Sequence, residues 1–230
     1  MKRLFTIFVS MLMLAAFAAS ASAALRAPQV VVNGGTLQGY LNSVGEAIND
    51  ATDQQDVQRW ASTVSNNSTF TIQVELSGNA GGNSVGLYNA ALAAPPLYQV
   101  FPGAATAGWF AVASFRTAPI RVVVSLFDNN AAFLASNTYL GADRNDFGFY
   151  LQQAVGPVLY TQDGRNGGAA QALTYAGTGL NSGSWWLCWE DATPAQGADN
   201  DYDDCVLFLE SVNPTPVSRT TWGQLKKQFN

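Results

Sequence analysis

Alternating apolar and polar residues indicate that most of the chain forms β-strands. Residues 69–76 alternate strictly and place Phe70, Ile72, Val74 and Leu76 on one face of a strand. Further short apolar segments, most of them separated by Gly or by Asn and Asp clusters, lie at residues 85–88, 109–115, 120–127, 147–151, 158–161 and 170–175. This spacing predicts a mainly β fold, and we expect an antiparallel β-sandwich of the jelly-roll-like kind.

A helical pattern precedes these strands. Leu37, Leu41, Val44 and Ile48 recur at intervals of four, three and four residues, which places them on one face of a short N-terminal helix. Just before this helix, residues 29–33 read Q-V-V-V-N, and this apolar run followed by two glycines predicts a short strand.

A second helical pattern lies at the C-terminal end. Trp222, Leu225 and Phe229 fit one face of a small helix, which follows a stiff segment containing Pro214 and Pro216. We therefore expect four parts along the chain: a signal peptide at 1–23, an N-terminal helical and strand segment packed on the sandwich at 24–68, the β-sandwich domain at 69–213, and a proline linker with a tail helix at 214–230.

The first residues carry the features of a secretory signal peptide. Lys2 and Arg3 precede an uncharged apolar stretch at residues 4–17, and Ala21 and Ala23 form an A-x-A cleavage signal. A retained membrane anchor is the alternative, but the apolar stretch is shorter than the roughly 18 residues that a spanning helix needs. We expect cleavage after Ala23, export to a secreted or cell-surface location, and no membrane span in the mature chain.

Composition narrows the function of the mature chain. Removal of Lys2 and Arg3 leaves nine of the eleven basic residues against sixteen acidic ones, a net charge of −7, which argues against nucleic acid or anionic lipid as a partner. The chain has no histidine, so the Ser-His and Cys-His nucleophile pairs and imidazole metal ligands are excluded. We therefore expect a protein that is not an enzyme, although carboxylate chemistry such as glycoside hydrolysis stays possible.

Residues 190–204 are the most unusual stretch of the sequence. They hold six of the sixteen acidic residues, and no Lys or Arg occurs between Arg165 and Arg219 to pair with them. The six are Glu190, Asp191, Asp199, Asp201, Asp203 and Asp204. Short apolar segments at 184–189 and 205–209 flank this stretch and predict a β-hairpin with the acids at its tip.

Carboxylates at this density repel one another, and a bound cation turns the repulsion into affinity. Asp199, Asp201 and Asp203 have the D-x-D-x-D spacing that begins an EF-hand loop, but the glycine at its sixth position and the glutamate at its twelfth are missing. Glu190 and Asp191 lie across the hairpin and close the predicted site. Oxygen ligands without nitrogen or sulfur select a hard cation, so we expect these acids to hold one Ca²⁺ at the hairpin tip, with Asp204 either joining the site or bracing the turn. A solvated acidic loop is the alternative.

Cys188 and Cys205 are the only cysteines, and each lies near the base of this hairpin. If residues whose numbers sum to 393 face each other, the two cysteines are cross-strand neighbours. Because disulfides form and persist in exported proteins, we predict that one joins this pair, with two buried free thiols as the alternative.

The hairpin resembles the signature of the DUF4114 family of exported bacterial proteins. In that signature an E-D pair is followed by a glycine-containing turn, a D-x-D-Y-[ND]-D block and an apolar strand. Glu190 and Asp191 match the pair, Gly197 matches the turn, and residues 199–204 match the block, with Asp203 where Asn is commoner. The similarity extends over residues 70–212 and implies a β-rich, surface-associated domain whose acidic motif binds metal, but it implies no reaction.

Three classes of function remain open. The first is an exported, calcium-binding module with a structural, adhesion or cell-surface role, whose partner is an extracellular protein or glycan. The second is a carbohydrate-binding module, which six tryptophans and a β-sandwich suit, although Trp185, Trp186 and Trp189 also fit the core. The third is a glycosidase that uses two of the acids, which requires carboxylates about 5 to 9.5 Å apart across a cleft. We favour them in that order.

Overall fold

The computed structural model of the protein describes residues 23–75 and 81–215. The predicted C-terminal helix and all but the last residue of the predicted signal peptide lie outside the described residues. In the described part of the chain, no helix has the length and hydropathy needed to cross a membrane.

The described residues form one α-helix and thirteen β-strands. The helix α1 spans Thr36–Ser43. The strands are β1 Trp60–Ser62, β2 Asn67–Glu75, β3 Ser84–Asn89, β4 Leu97–Phe101, β5 Phe110–Thr117, β6 Ile120–Phe127, β7 Phe133–Leu140, β8 Phe147–Gln152, β9 Val158–Tyr160, β10 Ala172–Ala176, β11 Trp185–Trp189, β12 Cys205–Glu210 and β13 Val212–Pro214. Short 3₁₀ turns occur at Asp163–Asn166, Gly179–Asn181 and Pro194–Gln196.

These strands pair antiparallel throughout and form two sheets. The six-stranded sheet has the order β13-β1-β8-β3-β4, with β9 paired to β8, and the seven-stranded sheet has the order β10-β11-β12-β2-β5-β6-β7. The strands β1 and β13 extend the sheets past both predicted limits of the domain, residues 69 and 213. The prediction of a mainly β, antiparallel fold is confirmed, and the jelly-roll-like connectivity stays a prediction.

The inner faces of the two sheets share one hydrophobic core. Phe70 of β2 packs edge-on against Phe149 of β8, with ring centroids 5.1 Å apart. Phe115 of β5 stacks on Phe147 of β8 at 5.2 Å. Each pair joins the seven-stranded sheet to the six-stranded one, which is the packing of a sandwich-like fold whose aromatic rings are buried between layers.

The helix α1 covers part of the outer face of the seven-stranded sheet. Leu37 and Leu41 are fully buried there, in a second cluster with residues of β10, β11 and β12. The helix ends at Ser43, and Gly45 has φ 82, so the helical face predicted through Val44 and Ile48 stops early. Val44 is exposed as a result, whereas Ile48 returns to the cluster from the following loop.

Residues 29–33 do not form the predicted strand. The side-chain amide of Gln54 satisfies both backbone groups of Val30, accepting from its N–H at 2.8 Å and donating to its carbonyl at 2.7 Å. The backbone N–H of Asn33 donates to the carbonyl of Asn200 at 2.8 Å. These individual hydrogen bonds take the place of pairing with a neighbouring strand. The bond from Asn33 also ties the N-terminal segment to residues 190–204.

A β-bulge changes the face presented by the end of β2. Phe70 and Ile72 lie in the core between the sheets, but Val74 lies in the cluster under α1. The reason is that Ile72 and Val74 pair with consecutive residues of β12, which leaves Gln73 as an extra residue. The single face predicted for β2 is therefore wrong at Val74, and Leu76 lies outside the described residues.

The register of β11 and β12 separates the two cysteines. Cys188 pairs with Val206 and Trp189 pairs with Cys205, so the numbers of paired residues sum to 394 instead of 393. Successive side chains of a strand point to opposite faces, and this one-residue difference places Cys188 under α1 and Cys205 in the core between the sheets. Both are buried free thiols, and the predicted disulfide between Cys188 and Cys205 is wrong.

Candidate metal centre in the acidic loop

The acidic loop, residues 190–204, connects the end of β11 to the start of β12, and the predicted hairpin is confirmed. The outer part of the loop is the 3₁₀ turn Pro194–Gln196. Thr193 and Gln196 form a capping box around this turn, and Gly197 ends it with φ 88. This local chemistry reverses the chain direction and returns it toward the end of β11.

The returning half of the loop is held by several contacts. The hydroxyl of Tyr202, a buried side chain, donates to the carbonyl of Ala170 at 3.0 Å. The side-chain amide of Asn33 donates to the carbonyl of Asp199 at 2.6 Å. Asn200 and Tyr202 have positive φ angles of 61 and 56, which fold the backbone tightly and bring distant carboxylates together.

The carboxylates of the loop form two groups that share one residue. In the outer group, carboxylate oxygens of Glu190, Asp199 and Asp201 lie within 4.8 Å of one another. In the inner group, those of Glu190, Asp191 and Asp204 do the same. Glu190, the shared member, is 1% exposed. The structure therefore brings together five of the six predicted acids, with a buried glutamate at their centre.

Asp203 is the predicted acid that belongs to neither group. Its side chain is buried and accepts a hydrogen bond from the side chain of Thr36, at the start of α1. The left-handed conformation at Tyr202 interrupts the D-x-D-x-D spacing just before Asp203, so its carboxylate joins neither group, although its backbone N–H donates to Oδ1 of Asp201 at 3.3 Å. Burial and the neighbouring charge of Asp201 raise the pKa of Asp203 to about 6.

The surroundings of Glu190 disfavour its ionised form. Burial raises its pKa to about 7, and the charges of Asp204 and Asp199 contribute to the increase. The backbone N–H of Asn200 donates to Oε2 of Glu190 at 2.8 Å and opposes the shift. The backbone N–H of Ala192 also donates to this carboxylate, but the two hydrogen bonds do not offset burial and two nearby carboxylates.

The ionised form of Asp204 is disfavoured in the same way. Burial raises its pKa to about 7, helped by the charges of Asp191, Asp201 and Asp199. The backbone N–H of Asp191 donates to its Oδ2 at 2.8 Å and partly offsets the increase.

Basic side chains do not relieve either Glu190 or Asp204. The salt bridges of the described residues join Arg26 to Asp163 and Arg59 to Asp146. Among the described residues, these two carboxylates therefore have no salt-bridge partner that offsets their charge.

Glu75, at the end of β2, is an acid of this site that the sequence analysis missed. It pairs with Cys205 across β2 and β12, and burial together with the charge of Asp191 raises its pKa to about 7. Nothing in the sequence near Glu75 resembles the acidic loop, because the two segments are far apart along the chain. Sheet pairing alone brings this carboxyl group to the site.

Two amide side chains from the six-stranded sheet also reach Asp191. The Nδ2 of Asn83, which precedes β3, donates to Oδ2 of Asp191 at 2.6 Å. The Nε2 of Gln153, which follows β8, donates to the carbonyl of Asp191. The inner carboxylate group therefore lies where the two sheets meet, and neither amide is marked by a sequence motif.

A groove of about 610 Å³ lies beside the site, between α1 and the seven-stranded sheet. Asp203 and Glu75 line it together with Tyr40 and Gln73. The hydroxyl of Tyr40 donates to Oε1 of Gln73 at 3.1 Å. The groove thus combines one aromatic ring with amide and carboxyl groups.

Comparisons of the chain with protein-family models, with curated proteins and with solved structures found no match. The chemical character of the site consequently rests on its own geometry. Its candidate ligands are carboxylate oxygens, which hard divalent cations prefer.

Proposed function

We propose that the protein is an exported, calcium-binding β-sandwich module with a structural, adhesion or cell-surface role. The observation that carries this proposal is Glu190. This side chain is 1% exposed and stands between two groups of carboxylates whose oxygens lie within 4.8 Å. Burying an ionised carboxylate beside others is costly, and a bound cation removes that cost.

Calcium suits the site better than other divalent metals. The donors are all oxygen, because the chain has no histidine and the nearest thiol, Cys205, is buried with a pKa raised far above its ordinary value by burial and by Glu75. Calcium accepts six to eight oxygen ligands in flexible geometry, whereas magnesium demands a regular octahedron. An irregular loop that supplies carboxylates from several directions favours the more adaptable ion.

A structural role agrees better with the geometry than catalysis does. Glycosidases need two carboxyl groups about 5 to 9.5 Å apart on either side of a sugar bond. Within each group of this site the oxygens lie closer, within 4.8 Å, and Glu190 and Asp191 are both buried. A cation held here would instead fix the acidic loop to the ends of β11 and β12.

Calcium titration of the mature chain by calorimetry, with thermal melting in parallel, tests the proposal. We expect saturable binding with a Kd on the order of 10⁻⁴ to 10⁻³ M, as at other extracellular sites. Melting should rise with millimolar calcium and fall with chelator, while sodium chloride at equal ionic strength has a much smaller effect. No binding heat together with a melting curve indifferent to calcium would refute calcium binding.

A carbohydrate-binding module is the second candidate, and the groove beside α1 is the observation that favours it. Trp185, Trp186 and Trp189 are buried, so they belong to the core and offer no stacking surface to a sugar. The groove instead offers the ring of Tyr40 with polar partners such as Gln73. Glycan-array binding that persists in chelator and disappears in Tyr40→Ala would favour this function over the first.

A further inference from the structure

The negative charge of the site exceeds what one calcium ion neutralises. Five carboxylates form the two groups that share Glu190, and Glu75 adds a sixth beside Asp191. One Ca²⁺ would leave a net charge of about −4 among these six in a partly buried site. The division into two groups, each with its own cluster of oxygens, provides places for two ions.

Asn83 supplies an independent observation at the inner group. Its side chain is 5% exposed, and Nδ2 donates to Oδ2 of Asp191 at 2.6 Å. The other amide atom, Oδ1, is buried and has no hydrogen-bond partner among the described residues. Most buried polar atoms are partnered, and an unpartnered one costs about 1–3 kcal/mol. Because Oδ1 of Asn83 is a buried, unpartnered acceptor beside the inner carboxylate group, it is a candidate metal ligand.

The geometry of an asparagine side chain permits this role. Its Oδ1 and Nδ2 are bonded to the same carbon, so Oδ1 lies close to the carboxylate that Nδ2 contacts. Oδ1 can therefore ligate an ion held by Asp191 while Nδ2 keeps its hydrogen bond to Oδ2. Side-chain amide oxygens are ordinary calcium ligands, and an ion bound between Asp191 and Asn83 gives Oδ1 its missing partner.

We propose that the acidic loop binds two calcium ions bridged by Glu190, and that Asn83 Oδ1 is a ligand of the inner one. Asp199 and Asp201 complete the outer site, and Asp191 and Asp204 complete the inner site. This inference rests on the proposed calcium-binding function and deepens it.

The inner ion has a consequence that the outer one lacks. Asp191 follows β11 of the seven-stranded sheet, and Asn83 precedes β3 of the six-stranded sheet. An ion that both residues ligate therefore joins the two layers of the fold at this end. The outer ion contacts only residues of the hairpin loop.

Stoichiometry separates the two sites. Calorimetric titration of calcium chloride into the mature chain, supported by terbium luminescence, should give two ions per chain. Asn83→Ala should bind one ion, and Asp199→Asn should also bind one, because the two variants remove different sites. The double variant should bind none at millimolar calcium.

Asn89→Ala, at the far end of β3 from Asn83, is a matched control. Asn89 is also buried, but both ends of its amide are partnered, since Nδ2 donates to the carbonyl of Gly141 and Oδ1 accepts from the N–H of Asp143, each at 2.7 Å. We expect this variant to be less stable with and without calcium, and to keep both ions.

The outcomes distinguish the two proposals. A parent chain that binds no calcium refutes the proposed function and this inference together. A parent that binds one ion refutes the inference and leaves calcium binding intact, and two ions retained in Asn83→Ala refute the role of Asn83. If Asn83→Ala does not fold, Asn83→Asp keeps an oxygen at this position and should bind two ions in calcium, so a single ion there contradicts the assignment.

Discussion

Glu46 and Glu190 are both buried glutamates, 4% and 1% exposed, but their surroundings are opposite. Four donors reach the carboxylate of Glu46. The N–H and hydroxyl of Thr178 donate to Oε2 at 2.7 and 2.6 Å, and the side chains of Asn181 and Trp186 donate to Oε1 at 2.7 and 2.9 Å. Glu190 instead has carboxylates on two sides and accepts from two backbone N–H groups, those of Asn200 and Ala192.

The pKa values follow from this difference. Burial acts to raise the pKa of Glu46, but its hydrogen bonds outweigh burial and lower it. Burial also raises the pKa of Glu190, and the neighbouring aspartates add to the increase until it reaches about 7. Glu46 is therefore a structural anion that the fold itself satisfies, whereas Glu190 needs a proton or a cation. Burial alone does not distinguish the two glutamates; the balance between hydrogen-bond donors and neighbouring carboxylates does.

The largest expected effect is the loss of calcium stabilisation in Glu190→Gln. Calcium at 100 times its Kd should stabilise the parent by about 2.7 kcal/mol for each bound ion, and this variant should lose that increment. In chelator it should be as stable as the parent or slightly more so, since it removes a repelling charge. The free energy of unfolding from urea titrations in calcium and in chelator provides the measurement.

Asp203→Asn is the matched control for Glu190→Gln. It makes the same change of charge within the acidic loop, but Asp203 lies outside both carboxylate groups. We expect it to keep the calcium increment, and its loss there would mean that the two groups do not define the site.

Glu46→Gln should lower the free energy of unfolding by about 1–3 kcal/mol, because a single amide cannot accept from all four donors and leaves some of them unsatisfied. The decrease should be equal in calcium and in chelator. A decrease that appears only in calcium would show that Glu46 is coupled to the metal site and would break the contrast with Glu190.

The two glutamates should also have opposite effects on the pH dependence of stability. A raised pKa in the folded state means that stability is full below the unfolded pKa, about 4.3, and is lost as pH rises through the folded value. In chelator the parent should therefore lose stability between about pH 4 and pH 7 through Glu190 and Asp204, both with folded pKa values of about 7.

Glu190→Gln should flatten this decline, and calcium should stabilise the parent more at pH 8 than at pH 5. Glu46, with its lowered pKa, contributes stability that is lost only as pH falls below about 4.3. Urea titrations across this pH range check both directions, and a parent that gains stability from pH 5 to pH 7 in chelator would contradict the assignment.

The smallest expected effect concerns Cys188 and Cys205. Because their side chains lie on opposite faces of the seven-stranded sheet, a reducing agent should leave the melting temperature unchanged. Alkylation of the denatured, unreduced protein should label two thiols, as mass spectrometry would show. A protein that binds no label without reduction would contradict the register of β11 and β12.

Patterns within short stretches of sequence predicted the hairpin that carries the acidic loop and the helix α1. The density of acids at residues 190–204 and their apolar flanks predicted the hairpin, and five of the six acids come together there. The spacing of Leu37 and Leu41 predicted α1 and its buried face. The absence of histidine and the density of acids favour a hard cation as the ligand of this loop, which stays a prediction.

Tertiary structure decided the features that depend on strand register, in which a shift of one residue moves a side chain to the other face of the sheet. The register of β11 and β12 separated Cys188 from Cys205, and a bulge at Gln73 changed the face of Val74, because side chains alternate with a period of two. Asn83 and Asp191 are 108 residues apart, and only the packing of two sheets brings them within 2.6 Å. Sequence by itself determined that the acids lie in one hairpin loop, and the fold decided which of them come together, since contacts between distant strands leave no local pattern.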